Sequence, residues 1–287
     1  ADALVMWHQV RLTETSLKSL NKCKVIVRCG VGFDNIDLKS AGNQGIPVCN
    51  VPDYGINEVA DHTIALLLAI NRGICNYNSG ILKSITGWQW DAAGSLDRIK
   101  GKTLGIIGLG RIGTAVSIRA QSFGLNVVYH DPYIADGYDK SLNITSLSLN
   151  ELLSCSDIIS FHTPLSHETN GMGNKDFFSK VKEGCIILNT ARGEIIDLKF
   201  LEIALKSGKI KAAGLDVLPN EPPINDPLIK AWRNKEDWIR NRLILTPHSA
   251  FYSKESFVEI RQKAALTVKN VLEGKQLRNC VNSQYLR

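Results

Sequence analysis

The sequence predicts an α/β protein with a doubly wound parallel sheet and a second, smaller α/β domain. Short uncharged apolar runs alternate with amphipathic stretches, and a glycine motif follows one of these runs. Apolar runs of this length, bounded by turn residues, are typical of parallel strands that are buried on both faces. Six runs are assigned to the larger sheet: 104–107, 127–129, 158–161, 185–188, 212–217 and 243–245.

The smaller domain is predicted from both ends of the chain. Residues 1–56 hold too few elements for a core of their own, so later chain or sequence before Ala1 must complete it. A helix with Ser253 as its N-cap and Gly274 as its stop is expected to return there with the tail. The domains are therefore predicted as 1–56 with 254–287, lacking N-terminal residues, and 57–253. The expected elements of the first part are strands Leu4–Trp7, Val25–Arg28 and Pro47–Asn50 and helices near 15–20 and 38–41.

The start of the larger domain carries a helix signal and an irregular stretch. Asn57 is predicted as the N-cap of a helix that reaches Arg72. The stretch 73–101 is interpreted as a bridge between the domains, with Trp88 and Trp90 as packing anchors.

Composition excludes several classes of protein. The net charge of +6 over 287 residues is mild and dispersed, which argues against nucleic-acid binding. The longest uncharged apolar run, 64–70, is too short to span a bilayer. Seven scattered cysteines without a C-x-x-C pair indicate reduced thiols in a cytoplasmic protein and no metal site.

The glycine motif points to a dinucleotide. Gly108, Gly110 and Gly113 form G-x-G-x-x-G directly after a predicted strand, a helix and a second strand follow, and Asp131 stands 18 residues past the last glycine. The first glycine permits a tight turn, the second a close approach to pyrophosphate, and the third close packing of helix on strand. This order predicts a Rossmann domain, with a plain βαβ packing unit as the alternative.

Asp131 indicates which dinucleotide is bound. Its carboxylate would accept hydrogen bonds from the adenosine ribose, whereas a 2′-phosphate would meet like charge. The sequence therefore favours NAD over NADP as the cofactor.

Three polar side chains follow separate strands of the larger sheet. Because ligands of open parallel sheets bind beyond the carboxyl ends of the strands, Arg192, Glu221 and His248 are expected at one edge. Arginine can clamp a carboxylate, and a histidine paired with a glutamate can exchange a proton. Alternatively, Arg192 forms a surface ion pair, Glu221 is a turn residue beside prolines, and His248 is a loop histidine. His162, after another strand, is predicted to support its own loop.

A glycine loop in the smaller domain is open to two interpretations. Residues 29–32 (CGVG) follow a predicted strand, and their successive N–H groups could hold an anion or simply form a turn.

Six motifs occur together in the sequence: VGFDNID (31–37), GIIGLGRIG (105–113), HDPY (130–133), NTARG (189–193), GLDV with the downstream EP (214–222) and TPH (246–248). With these motifs the chain resembles the D-isomer-specific 2-hydroxyacid dehydrogenases over nearly its whole length. The stretches RCGVGFDNIDLKSAG, HDPYIADG, HSAFYS and NCVN make it most similar, within that family, to the C-terminal binding proteins, although those carry a tryptophan where Phe251 stands here.

The resemblance implies an NAD-dependent oxidoreductase that interconverts a small 2-oxo acid and its D-2-hydroxy acid. It implies Arg192 as substrate clamp, His248 as acid/base, Glu221 as its partner, and a homodimer formed through the cofactor domain. The alternative is an NAD(H)-sensing dimeric partner-binding protein of the corepressor type. Further cofactor contacts are implied for Thr63, Arg111, Ile112, Thr163, Thr190 and Asp216, and substrate contacts for Val31, Gly32 and Phe251.

Overall fold

The computed structural model describes residues 1–286 and divides the chain into two compact units. The smaller unit comprises Ala1–Gly55 and the chain from Phe251 onwards, and the larger unit comprises Ile56–Ala250. No helix among the described residues is long and apolar enough to cross a bilayer.

The strands agree with the predicted runs to within two residues at each end, and one short strand was not foreseen. The unforeseen strand, Thr145–Ser146, has only two residues and carries no apolar pattern. The strands are β1 Leu4–Met6, β2 Ile26–Arg28, β3 Val48–Asn50, β4 Thr103–Ile107, β5 Asn126–His130, β6 Thr145–Ser146, β7 Ile158–Phe161, β8 Cys185–Asn189, β9 Ile210–Leu215 and β10 Leu243–Leu245.

Helices separate most of the strands, as the alternating pattern predicts. The α-helices are α1 Glu14–Leu17, α2 Leu38–Asn43, α3 Ile56–Asn71, α4 Ile74–Lys83, α5 Arg111–Ser122, α6 Tyr138–Leu142, α7 Leu149–Cys155, α8 Lys175–Lys180, α9 Leu198–Ser207, α10 Pro227–Arg233 and α11 Lys254–Leu272. Single 3₁₀ turns lie at Ile85–Gly87, Gly193–Ile195 and Ser283–Tyr285.

The larger unit is built on a parallel sheet in the order β10-β9-β8-β7-β4-β5-β6. The chain runs outward from β4 through β5 to β6, and then crosses to β7 on the other side of β4. This reversal between β4 and β7 is the point at which ligands bind in doubly wound sheets. The predicted α/β fold with a doubly wound parallel sheet is confirmed.

Successive residues of the central strands enter the cores on opposite faces. Ile158, Ile186 and Leu188 pack with α3 and α5, whereas Ile159 and Ile187 pack with α8 and α9. Each such side chain stabilises the fold by about 1.5–3 kcal/mol relative to an exposed position. Burial on both faces explains why these strands are continuous apolar runs instead of alternating ones.

The smaller unit has a parallel sheet in the order β1-β2-β3 with one core on each face. Leu17 and Ala41, from α1 and α2, belong to the first core. Ile260 and Ala264 of α11 belong to the second, so returning chain supplies what the first 55 residues lack. Ser253 caps α11 by accepting the Ser256 N–H at 2.9 Å, as the sequence predicts.

The predicted helix start at Asn57 is wrong. The helix α3 begins at Ile56, and Asn57 lies within its first turn. The Asn57 side-chain oxygen accepts a hydrogen bond from Arg119 Nη2 at 3.1 Å instead of capping the helix. A long-range partner therefore takes the group that a local pattern assigned to the cap.

The interpretation of Trp88 and Trp90 as packing anchors is also wrong. Their exposed fractions are 74% and 85%, and the stretch that holds them contains a helix, α4, within the larger unit. At Gly87 the chain packs closely against α4. A Cβ there would lie 2.5 Å from the Gly80 carbonyl oxygen, so only glycine fits. Sequence pattern alone does not distinguish a surface tryptophan from a buried one.

Candidate active site

The glycine loop lies between the carboxyl ends of β4 and β7. Gly108 has φ +92°, and a Cβ there would lie 2.9 Å from the His162 carbonyl group and from Thr163 Cγ2. A Cβ at Gly113 would lie 2.2 Å from the Gly108 carbonyl oxygen, which explains the need for a third glycine. In contrast, a Cβ at Gly110 would have nothing within 4 Å. The loop is therefore tightly packed at Gly108 and Gly113 and open at Gly110.

A helix N-terminus faces that opening. Gly110 is the N-cap of α5 and offers no side chain to the first N–H groups of the helix. Such N–H groups, together with the helix dipole, favour an anion such as a pyrophosphate. Arg111 is exposed and Ile112 is half-buried in this first turn.

Asp131 follows the last residue of β5 and contacts the glycine loop. Its Oδ2 accepts the Leu109 N–H and its Oδ1 accepts the Tyr133 N–H, both at 2.9 Å. A carboxylate offers about four acceptor sites, so two backbone bonds leave capacity for ribose hydroxyls. These bonds hold the carboxylate beside the glycine loop.

Threonines after β7 and β8 lie near this region of the sheet. Thr163 Oγ1 is buried and has no hydrogen-bond partner among the described residues. Buried polar atoms are almost always paired, so this oxygen indicates a place for a ligand group. Thr190 Oγ1 lies 2.9 Å from Thr63 Oγ1, and Thr63 also donates to the Val59 carbonyl oxygen at 2.7 Å. The glycine loop, Asp131 and the unpaired Thr163 fit a bound dinucleotide.

His162 takes the supporting position that the sequence predicts. Its backbone N–H donates to the Ile107 carbonyl oxygen at 2.8 Å, and its Nε2 lies 2.8 Å from Ser160 Oγ. Burial of the side chain lowers the pKa of His162 to about 3. The ring is therefore neutral at physiological pH.

A second histidine follows β10 and is paired with a carboxylate. His248 Nδ1 lies 2.7 Å from Glu221 Oε2, with 20% and 31% of the two side chains exposed. Because a carboxylate only accepts hydrogen bonds, Nδ1 carries the hydrogen and Nε2 is the remaining site of proton exchange. Glu221 Oε1 also accepts the Leu218 N–H at 2.9 Å, so the backbone holds the carboxylate in place.

The backbone of His248 is held in an uncommon conformation. Its φ is +53°, in the left-handed region, which costs a non-glycine residue about 1–3 kcal/mol. The His248 N–H donates to the Asp216 carbonyl oxygen at 2.8 Å. Such strain is typical of functional positions that the surrounding structure fixes.

Asp216 supplies much of that fixation. It lies one residue beyond β9, not inside it as predicted, and only 2% of it is exposed. Its carboxylate accepts the Ser249 and Ala250 N–H groups at 2.9 Å each and the Thr246 hydroxyl at 2.5 Å. Thr246 Oγ1 also lies 2.9 Å from His62 Nε2. Sequence reasoning assigned Asp216 only a cofactor contact and missed this network, because its members are separated along the chain.

The loop of Arg192 packs against the segment that holds Glu221. Arg192 is half-buried, and its Nη1 donates to the Ala191 carbonyl oxygen at 2.7 Å. A Cβ at Gly193 would lie 1.9 Å from the Leu218 carbonyl carbon, so the two backbones are in direct contact. Glycine is therefore required for the close approach of the arginine loop to this segment.

Three predicted substrate contacts, Val31, Gly32 and Phe251, lie in the smaller unit. The Val31 carbonyl oxygen accepts Asn50 Nδ2 at 2.7 Å, and the Phe251 ring lies 6.1 Å from that of Tyr54. Their contact with a substrate stays a prediction.

Comparisons with known proteins bear on the larger unit first. Residues 64–250 match the family model described as D-isomer specific 2-hydroxyacid dehydrogenase, NAD binding domain. The crystal structure of D-lactate dehydrogenase from Aquifex aeolicus, complexed with NAD and lactic acid, is 31% identical and superposes with a TM-score of 0.88. That match covers 96% of this chain and 84% of the other.

Two curated relatives match nearly the whole chain. C-terminal-binding protein 1 of Caenorhabditis elegans is 35% identical over 296 residues, or 99% of this chain. D-3-phosphoglycerate dehydrogenase of Mycobacterium leprae is 35% identical over 282 residues, or 98% of this chain. The chain spans 39% and 51% of the lengths of these two relatives.

Proposed function

Because the chain belongs to the D-isomer specific 2-hydroxyacid dehydrogenase family, we propose that it interconverts a small 2-oxo acid and its D-2-hydroxy acid. The membership and the NAD cofactor, both predicted from the sequence, are confirmed by the family model. The observation that carries the proposal is the 2.7 Å contact between His248 and Glu221 in the same unit as the glycine loop.

The cofactor would be held by groups at the ends of β4, β5 and β7. The N–H groups after Gly110 would face the pyrophosphate, Asp131 would accept the ribose hydroxyls, and Thr163 Oγ1 would gain its missing partner. Bound NAD supplies or accepts the hydride of the redox step. Contacts from Thr63, Arg111, Ile112, Thr190 and Asp216 are part of the proposal.

The proton and the substrate carboxylate are assigned to this chain. His248 would exchange the proton at Nε2, while Glu221 keeps the other ring nitrogen protonated and the ring oriented. Arg192 would clamp the carboxylate through its planar guanidinium. Val31, Gly32 and Phe251 are proposed to complete the substrate site.

A screen of 2-oxo acids tests this proposal. The fall in NADH absorbance is followed with a panel of aliphatic, acidic and aromatic 2-oxo acids, and NADPH is run in parallel. We expect turnover with at least one acid and a preference for NADH. Binding of NADH without turnover of any acid in the panel would contradict the proposal.

Arg192→Lys provides the matched variant for that screen. Lysine keeps the charge but loses the bidentate fork, so we expect KM to rise about tenfold to a hundredfold. The affinity for NADH, measured by fluorescence, should not change. An unchanged KM would remove Arg192 from the substrate site.

We also propose a homodimer, supported by an exposed apolar arm formed by residues 74–90. Leu82, Ile85, Trp88 and Trp90 are 78%, 90%, 74% and 85% exposed. A patch of this kind is typical of an interaction surface, and a second copy of the chain is the occupant we propose. In sedimentation velocity we expect twice the chain mass, and the monomer for the double variant Leu82→Glu with Ile85→Lys. Ile203→Lys, at a position 54% exposed on α9, is the control.

An NAD(H)-sensing partner-binding protein is the second candidate. The 35% identity to C-terminal-binding protein 1 favours it. In that case NADH would promote dimerisation and a dimer-dependent protein contact, and substitution of Arg192 or His248 would leave both unaffected. Sedimentation with and without NADH separates the two candidates when it is combined with the screen of 2-oxo acids.

Seven free thiols support a reducing compartment, and we propose the cytoplasm.

A further inference from the structure

Two cysteines of the smaller unit face each other across two chain segments. Cys49 is the middle residue of β3, and it forms an isolated antiparallel bridge with Cys280 of the C-terminal tail. Both side chains pack into the same apolar core, because directly opposite residues of antiparallel segments share a face. Neither residue has a part in the proposed dehydrogenase chemistry.

The hydrogen bonds around this bridge define its type. The Asn50 N–H donates to the Asn279 carbonyl oxygen at 3.1 Å, and the Val281 N–H donates to the Val48 carbonyl oxygen at 2.8 Å. These bonds flank the cysteines, which therefore form a non-hydrogen-bonded pair. In such a pair the Cα atoms are about 4.5 Å apart and the side chains are closest. Disulfides span Cα separations of about 4.4–6.8 Å, so this pair meets the requirement without backbone movement.

The two thiols differ in access. Cys49 is fully buried. Its burial, and to a smaller extent the neighbouring Cys280 thiol, raises the pKa of Cys49 to about 12. Cys280 is half-buried, and its Sγ lies 3.3 Å from Asn282 Oδ1. A reagent in solution therefore meets Cys280 first.

We propose that Cys49 and Cys280 are a redox modification site that forms a reversible disulfide with low-molecular-weight disulfides such as oxidised glutathione. The Cys280 thiolate attacks one glutathione sulfur, which breaks the glutathione S–S bond and releases one reduced glutathione. The Cys49 thiolate then attacks the Cys280 sulfur and displaces the second glutathione. The two protein thiols lose two electrons and two protons in total, and the two reduced glutathione molecules carry these electrons and protons as thiols.

The disulfide would fix the C-terminal tail to the edge of the small sheet. The tail is held there by Asn282, which is fully buried, accepts the Val48 N–H at 2.8 Å and donates to the Ile46 carbonyl oxygen at 3.0 Å. Local opening of this segment would uncover the edge of β3. Oxidation would prevent this local opening, whereas reduction of the disulfide would allow it again.

Peptide mapping tests the proposal on the whole protein. The chain is incubated with oxidised glutathione, alkylated without reduction and digested. We expect a linked peptide pair that joins Cys49 and Cys280, a mass lower by about 2 Da, and recovery of both thiols with dithiothreitol. Hydrogen exchange at the Asn50 and Val281 amides should be slower in the oxidised form.

Two variants identify the order of attack. Cys49→Ser should accumulate a glutathione adduct of about 305 Da at Cys280, whereas Cys280→Ser should leave Cys49 unmodified. Cys75→Ser, at an exposed cysteine, is the control and should still form the link. Glutathione adducts on wild-type protein without any linked pair would overturn the proposal, and this readout does not depend on whether a variant folds.

Discussion

Two histidines at the same edge of the large sheet have contrasting surroundings. His162 follows β7, bonds to Ser160 Oγ at 2.8 Å, and has its pKa lowered to about 3 by burial. His248 follows β10, is one-fifth exposed and lies 2.7 Å from a Glu221 oxygen. The topology of a parallel sheet brings both to the edge where ligands bind, but their neighbours give only one of them a partner suited to proton exchange.

The contrast also concerns the backbone. His162 continues regular strand pairing, whereas His248 has φ +53° and depends on Asp216 for its position. A neutral, enclosed imidazole can only support its loop. An accessible imidazole with a fixed carboxylate can move a proton at each turnover.

Substitution of His248 should have the largest effect. In His248→Gln the side chain keeps hydrogen-bonding capacity but cannot exchange a proton, so we expect kcat to fall about 10²- to 10⁴-fold. NADH affinity, measured by fluorescence titration, should stay at the wild-type value. A variant with wild-type kcat would remove the distinction between the two histidines.

Glu221→Gln should lower kcat by about a hundredfold. The amide can still contact the ring, but it no longer carries the charge that stabilises the imidazolium and fixes the tautomer. The measurement is the pH dependence of kcat, in which the limb that reports His248 should move. A lowered kcat with an unmoved profile would show that Glu221 acts on the loop and not on the ring.

The contrast explains what the sequence predicted and what it did not. The glycine loop and Asp131 lie within 24 residues of one another and follow local rules of turn and helix geometry, so their arrangement could be predicted together. The contact between His248 and Glu221 was predicted by asking which residues follow strands. Asp216 was only partly understood, because the backbone groups that it binds lie 33 and 34 residues further along.

Asp216→Asn should lower the free energy of unfolding by about 1–3 kcal/mol. Each carboxylate oxygen accepts a backbone N–H, from Ser249 or from Ala250, and an amide can accept only one of them. Urea titration measures the loss of stability. Since the same loop carries His248, kcat should fall more than NADH affinity. A variant as stable as the wild type would show that Asp216 does not hold this loop in place.

His162 should make the protein less stable in acid. Its pKa is about 3 in the folded chain, against an ordinary value of 6.5 that applies to the unfolded chain, so the unfolded chain binds the proton first. The contribution is fully present above pH 6.5 and is lost as pH falls toward 3, at about 1 kcal/mol per pH unit. His162→Gln should reduce this slope in urea titrations between about pH 7 and pH 4, while activity stays close to wild type.

Other features were beyond sequence reasoning for physical reasons. The exposure of Trp88 and Trp90 could not be predicted, because a surface that could meet another chain has the same composition as a core. The cysteines at 49 and 280 looked scattered because their bridge joins residues that are far apart in the sequence. Contacts of this kind depend on tertiary structure, which local sequence patterns do not predict.

We propose that His248, and not His162, exchanges the proton of a dehydrogenase reaction. The most direct measurement is kcat of NADH oxidation for His248→Gln and His162→Gln, side by side, with the best 2-oxo acid of the panel. We expect a loss of about 10²-fold or more for the first variant and nearly wild-type turnover for the second. Equal losses in both variants, or a greater loss in His162→Gln, would contradict it.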